Sequence, residues 1–114
     1  MTDDKVYINA EEGINRVMKN AKLFSKLLTK FKDEPHYTNL EKALAEGNME
    51  LARNSAHSLK GLAANLSLME LYKTVSELEA QIKAENVKDD QVTLVKGVYA
   101  VTLEEIDKVI IKYA

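Results

Sequence analysis

Apolar residues recur at spacings of three and four along most of this chain, and only one proline interrupts them. That spacing gathers side chains on one face of an α-helix, because a turn takes 3.6 residues. Between Ala21 and Phe31 the stripe is Leu23, Phe24, Leu27, Leu28 and Phe31; near the end of the chain it is Val92, Val95, Tyr99, Leu103, Ile106, Val109, Ile110 and Tyr113. With one proline and four glycines in 114 residues, long helices are easily accommodated and frequent tight turns are not. The chain is predicted to be all-α.

Start and stop signals divide the pattern. Asn9 followed by Glu12 resembles a capping box and opens a short helix carrying Ile14, Val17 and Met18, which Asn20 restarts or bends. Lys32 to Pro35 form a break, since proline offers no amide donor and pushes the residue before it out of the helical region. A short helix through Leu40 and Leu44 stops at Gly47, and Asn48 caps the next, from Met49 to about Asn65. Ser67-Leu68-Met69-Glu70 reads as a capping box for a helix through Leu71, Val75, Leu78 and Ile82, with Lys88, Asp89 and Asp90 separating it from the last helix. Four long helices with short connections predict an antiparallel four-helix bundle with an additional short N-terminal helix, as a single domain over 1–114. Met18, Met49 and Met69 are expected to fill the core, and Tyr99 and Tyr113 to pack with the last helix.

Charge and composition narrow the function classes. Sixteen basic residues against 18 acidic ones give a net charge of −2, which leaves no broad basic surface for nucleic acid. Cysteine is absent, which rules out disulfides and thiolate metal sites and fits a reducing compartment. The two histidines, His36 and His57, lie 21 positions apart and offer no metal-ligand spacing on one helix. The first ten residues, with Asp3 and Asp4, lack the apolar run of a signal peptide, and no later segment approaches a membrane span. A cytoplasmic protein is expected.

The segment Ala56-His57-Ser58-Leu59-Lys60-Gly61 carries the chemistry. At about 100° per residue, Ala52, Ala56, Leu59, Ala63 and Leu66 form a core face, and Arg53, Asn54, His57, Lys60, Gly61 and Ala64 fall roughly opposite. An exposed histidine alone implies nothing, but here two cations and two nearly side-chain-free positions surround one imidazole. Gly61 costs about 1 kcal/mol relative to alanine within a helix, and clearance for an approaching macromolecule would compensate. The cations Arg53 and Lys60 favour a neutral ring with a lone pair free as nucleophile, and Lys60 at i+3 would partly neutralise a phosphoryl group attached to it. The glycines at 13, 47, 61 and 97 make no phosphate-cradling loop, so the phosphoryl is expected from elsewhere rather than from ATP bound by this chain.

The run A56-H-S-L-K-G-L-A-A-N-L-S-L-M-E-L, followed by Leu78-Glu79, resembles the signature of bacterial histidine phosphotransfer domains. The likeness covers 48–79 in sequence and about 10–113 in layout. It departs at Ser67, where that family usually has glycine. The resemblance implies a four-helix bundle with His57 as phosphoacceptor, Lys60 as its electrostatic partner and Gly61 where a receiver domain fits closely. It implies a phosphoryl carrier rather than an enzyme, exchanging phosphoryl through Nε2 of His57 with receiver domains of response regulators and fed by a hybrid sensor histidine kinase. No cofactor of its own is implied, Mg²⁺ being held by the receiver, and a monomer leaves the reactive face free. Two other readings stay open. One is a helical adaptor without chemistry; the other is the dimerising phosphoacceptor domain of a sensor kinase, against which Ser58 stands where an acid usually follows the histidine. His36 follows Pro35 as a helix-start residue, and Lys22, Lys26 and Lys30 form a solvated face that could extend the docking surface.

Overall fold

A computed structural model describes residues 5–113; Asp3, Asp4 and Ala114 lie outside this range. Six helices follow one another: α1 (Ala10–Arg16), α2 (Ala21–Lys32), α3 (His36–Glu46), α4 (Met49–Asn65), α5 (Met69–Lys83) and α6 (Asp89–Tyr113). The described residues contain no strand, and no helix among them is long and apolar enough to cross a membrane.

Helices α3 to α6 make the bundle. α4 packs on both α3 and α5, and α5 packs on α6. Tyr37 of α3 stacks on Tyr99 of α6, with ring centroids 4.0 Å apart, and so closes the ring. The links between these helices run only from two to five residues, which turns each neighbour antiparallel to the last. α2 lies along α6, where Phe31 meets Tyr99 and Lys32 pairs with Asp107. Phe24, Leu28, Leu40, Leu59, Leu71, Leu78 and Ile106 fill the interior and are inaccessible to solvent.

Three asparagines start helices in the same way. The Oδ1 atoms of Asn9, Asn20 and Asn48 accept the backbone N–H groups of Glu12, Leu23 and Leu51, at 3.1, 3.0 and 3.1 Å, each satisfying one amide that has no partner within its helix. Asn20 therefore restarts the helix rather than bending it. Gly47 ends α3 at φ +73°, a left-handed conformation that costs glycine nothing.

The expected capping box at Ser67 does not form. Ser67 has φ +58°; it is the left-handed residue after α4, with its own N–H on the Ala64 carbonyl and the Leu68 N–H on that of Ala63. These two bonds make a Schellman turn. α5 then begins at Met69, with Leu68 as a cap that gives no side-chain bond. The Ser67 hydroxyl donates instead to Glu12 Oε1 at 2.8 Å. The Asn9 N–H donates to the Ser67 carbonyl and the Met69 N–H to the Tyr7 carbonyl, so the first residues of the chain supply the cap that Ser67 does not.

Three smaller expectations also change. Met18 is 92% exposed rather than core filler, because α1 stops at Arg16 and Met18 and Lys19 form a left-handed turn. Met69 is also exposed, and only Met49 packs against the core. Asp89 and Asp90 belong to the first turn of α6, where negative charge offsets the positive end of the helix dipole.

Candidate functional site

The α4 faces separate as the helical wheel requires. Ala52, Ala56, Leu59, Ala63 and Leu66 are buried; Arg53, Asn54, His57 and Gly61 are exposed, and Lys60 and Ala64 are half-buried. Alanine at three of the inner positions keeps that face flat enough for neighbouring helices to approach closely.

The residue that organises the site comes from α5. Glu79 is only 3% exposed, yet its carboxylate meets three cationic or proton-donating side chains. Its Oε2 lies 3.0 Å from His57 Nδ1 and 3.5 Å from Lys83 Nζ, and its Oε1 lies 2.6 Å from Lys60 Nζ. Burial alone would raise the Glu79 pKa, but hydrogen bonds from Lys60 and His57, with the charges of Lys60 and Lys83, hold it below the usual carboxylate value. The same bond to Glu79 raises the pKa of Lys60. An ionised carboxylate accepts and cannot donate, so the proton between the two groups sits on Nδ1 of His57. In the neutral ring this arrangement puts the lone pair on Nε2. The His57 side chain is 71% exposed, and Nε2 has no hydrogen-bond partner among the described residues.

Arg53, Asn54, His57, Ser58, Glu79 and Lys83 line one shallow depression. Of the residues singled out in the sequence, Arg53 and Asn54 thus gather at His57, while Lys60 turns its ammonium onto Glu79. Gly61 sits one turn beyond His57, and a Cβ built there would meet nothing within 4 Å. Its lack of a side chain is not required by packing within this chain. Ala64 continues the same side of α4, half-buried. Lys83 carries no signal in the sequence; Glu79 enters there only as half of the Leu78-Glu79 pair and Ser58 only as the residue after the histidine, neither with a role at the site. The signal for Glu79 was present: it lies four residues after Val75 and next to Leu78, on the apolar stripe of α5, where an acid must find a partner.

The remaining candidates lie elsewhere. His36 is the first residue of α3, with Nε2 3.6 Å from Glu34 Oε2. Lys22, Lys26 and Lys30 are exposed on α2, which packs on α6 and α1 rather than on the α4–α5 hairpin. Among the described residues, no group of three or more His, Asp or Glu side chains is placed to hold a metal ion.

The family model described as Hpt domain matches residues 26–109 of the chain. Neither the curated proteins nor the solved structures compared with it give a match.

Proposed function

The chain belongs to the Hpt domain family, and from that premise we propose that His57 is its phosphoacceptor, taking a phosphoryl group reversibly from a receiver-domain aspartate and passing it to another response regulator. Family membership itself gives the chain a histidine phosphotransfer role in phosphorelays, with receiver domains and kinases as partners. The observation that carries the finer reading is the tethered, exposed imidazole: Nδ1 held by buried Glu79 and Nε2 open to solvent.

The chemistry follows from that geometry. The Nε2 lone pair attacks phosphorus, an N–P bond forms, and the acyl phosphate O–P bond breaks, returning its electron pair to the aspartate carboxylate. The proton on Nδ1 stays in place, so the ring gains positive charge as it bonds to phosphorus. Glu79 is already aligned to stabilise that charge without reorganisation. Lys60 acts mainly by keeping the buried carboxylate ionised and oriented, and Arg53 and Lys83 face the phosphoryl oxygens across the depression. Gly61 leaves room for the receiver. No base is needed, and Mg²⁺ would be held by the receiver. The protein is a carrier without kinase activity of its own, working as a monomer so that the His57 face stays free; positioning and charge are its contribution.

The test is incubation of the purified protein with receiver domains charged by a small phosphodonor, followed by mass spectrometry for acid-labile phosphate. Label on His57 that is lost in His57→Gln is the expected result. A folded protein that takes no label from any receiver would overturn this reading in favour of a non-catalytic adaptor.

A further inference from the structure

The end of the bundle formed by the α3–α4 turn and the α5–α6 link carries a groove of about 550 Å³. Leu44, Ala45, Met49, Val87 and Val92 line it with apolar surface, and Glu41, Glu85 and Asp89 complete the lining; no lysine or arginine does. None of the three carboxylates forms an ion pair with another described residue, and only Glu41 among them accepts a side-chain hydrogen bond, from the Tyr37 hydroxyl at 3.3 Å. An apolar floor under carboxylates that have no cationic partner is complementary to a polypeptide segment that presents apolar side chains flanked by cations.

The groove is not isolated from the phosphoacceptor. A second depression, lined by Met49, Glu50, Arg53, Ile82, Lys83 and Glu85, shares Met49 and Glu85 with the groove. It shares Arg53 and Lys83 with the depression beside His57. One track therefore runs along the α4–α5 seam, about 12 Å from Met49 to His57 at the helical rise per residue. That length suits a polypeptide better than a small organic cation. Charge inverts along it, from Glu41, Glu85 and Asp89 at the bundle end to Arg53 and Lys83 beside the imidazole.

We propose that the groove is a second docking point for the protein that exchanges phosphoryl with His57, and that it takes a basic amphipathic segment of that partner while the anionic phosphoryl lies at the basic end of the track. The proposal rests on the phosphotransfer reading and adds a direction to it. A partner laid on the track the other way round would set cations against Arg53 and Lys83 and anions against Glu85 and Asp89. The inverted charge thus selects one orientation.

The experiment uses the full chain and a panel of receiver domains charged with acetyl phosphate, and measures the receiver concentration dependence of His57 labelling. Glu85→Lys combined with Asp89→Lys should raise KM about tenfold at low salt, less at high salt, with the final extent of labelling unchanged. Because Asp89 also supports the start of α6, Glu85→Gln with Asp89→Asn serves as a milder pair and should raise KM in the same direction, with circular dichroism as the check on folding. Label on His57 with an unchanged KM for every receiver that labels it would overturn the groove proposal and leave phosphotransfer standing. Concentration-dependent self-association that the same substitutions abolish would assign the groove to a second copy of this chain and overturn it too. A wild-type His57 that takes no label would overturn the phosphotransfer reading itself, and this proposal with it.

Discussion

His57 Nδ1 lies 3.0 Å from Glu79 Oε2, so a side chain that is 71% exposed is tethered to one that is 4% exposed. The exposed half of the pair can meet a partner, while the buried half fixes which nitrogen reacts. Glu79→Gln removes the charge and can present either amide atom to the ring. Phosphorylation of His57 is expected to slow about tenfold or more, the worth of a charge-assisted hydrogen bond in a transition state. Ring ¹⁵N shifts should show the Nδ1–H tautomer in the unsubstituted protein and a mixture in the variant. An unchanged rate together with an unchanged tautomer would remove Glu79 from the mechanism.

Lys60 is expected to act through that carboxylate, and pH separates this from a direct role. Glu79 has a depressed pKa, so its contribution to stability is full above the ordinary value of 4.5 and is lost as pH falls through the lower folded value. Lys60→Met removes the strongest of the lowering influences. Protonation of Glu79, followed by the NMR shift of its carboxyl carbon, should then begin at higher pH, and acid unfolding with it. Lys60→Met should also slow transfer to His57 or shorten the life of the phosphohistidine while leaving the fold intact at neutral pH. A Glu79 titration that does not move would exclude the indirect role.

Gly61 separates stability from docking. With no atom within 4 Å of a Cβ at this position, Gly61→Ala should stabilise the helix by up to about 1 kcal/mol in denaturant unfolding. Gly61→Leu should fold as well as the unsubstituted protein and bind receivers more weakly. Equal receiver affinity for the two variants and the unsubstituted protein would show that clearance at this position is not needed.

Ser67 sets a backbone cost against a side-chain bond. Its φ of +58° is a left-handed conformation, and glycine there would save about 1 kcal/mol. Its hydroxyl also bonds Glu12, and a hydrogen bond of this kind contributes about 1 kcal/mol. Ser67→Gly should therefore be nearly neutral in the unsubstituted protein and stabilising in a Glu12→Ala background. A double-mutant cycle by chemical denaturation reads the difference. Equal effects in both backgrounds would mean that the Ser67–Glu12 bond carries no stability.

Much of this was legible from periodicity, because each helix face is a local property of its own segment. The burial of Ala52, Ala56, Leu59 and Ala63 and the exposure of His57 follow from one wheel. So does the stop at Gly47, where a single residue type matches a single backbone need. The partner of His57 was not legible in that way, since Glu79 comes from another helix and the register between α4 and α5 decides which acid arrives. The Leu78-Glu79 pair is visible in the sequence as part of a motif, but its pairing with His57 and Lys60 is not. At Ser67 two local signals competed: the pattern reads equally as the start of α5 or the end of α4, and the Schellman turn took the residue. Met18 has the spacing of a core residue, but the backbone is no longer helical there, and spacing alone does not carry that information.

The three bonds that join the first residues to the α4–α5 turn bear on the order in which the molecule can form. Glu12 and Ser67 are 55 positions apart in the chain, and the Tyr7 carbonyl waits for the amide of Met69. A growing chain can wind α1, cap it with Asn9 and pack it on α2 soon after these residues emerge, but the α4–α5 turn that completes their bonding is made only much later. Contacts this distant form late, after the loop between them has closed. The turn of the hairpin that carries His57 and Glu79 is then secured by residues that are made before it and that precede the matched family region, 26–109.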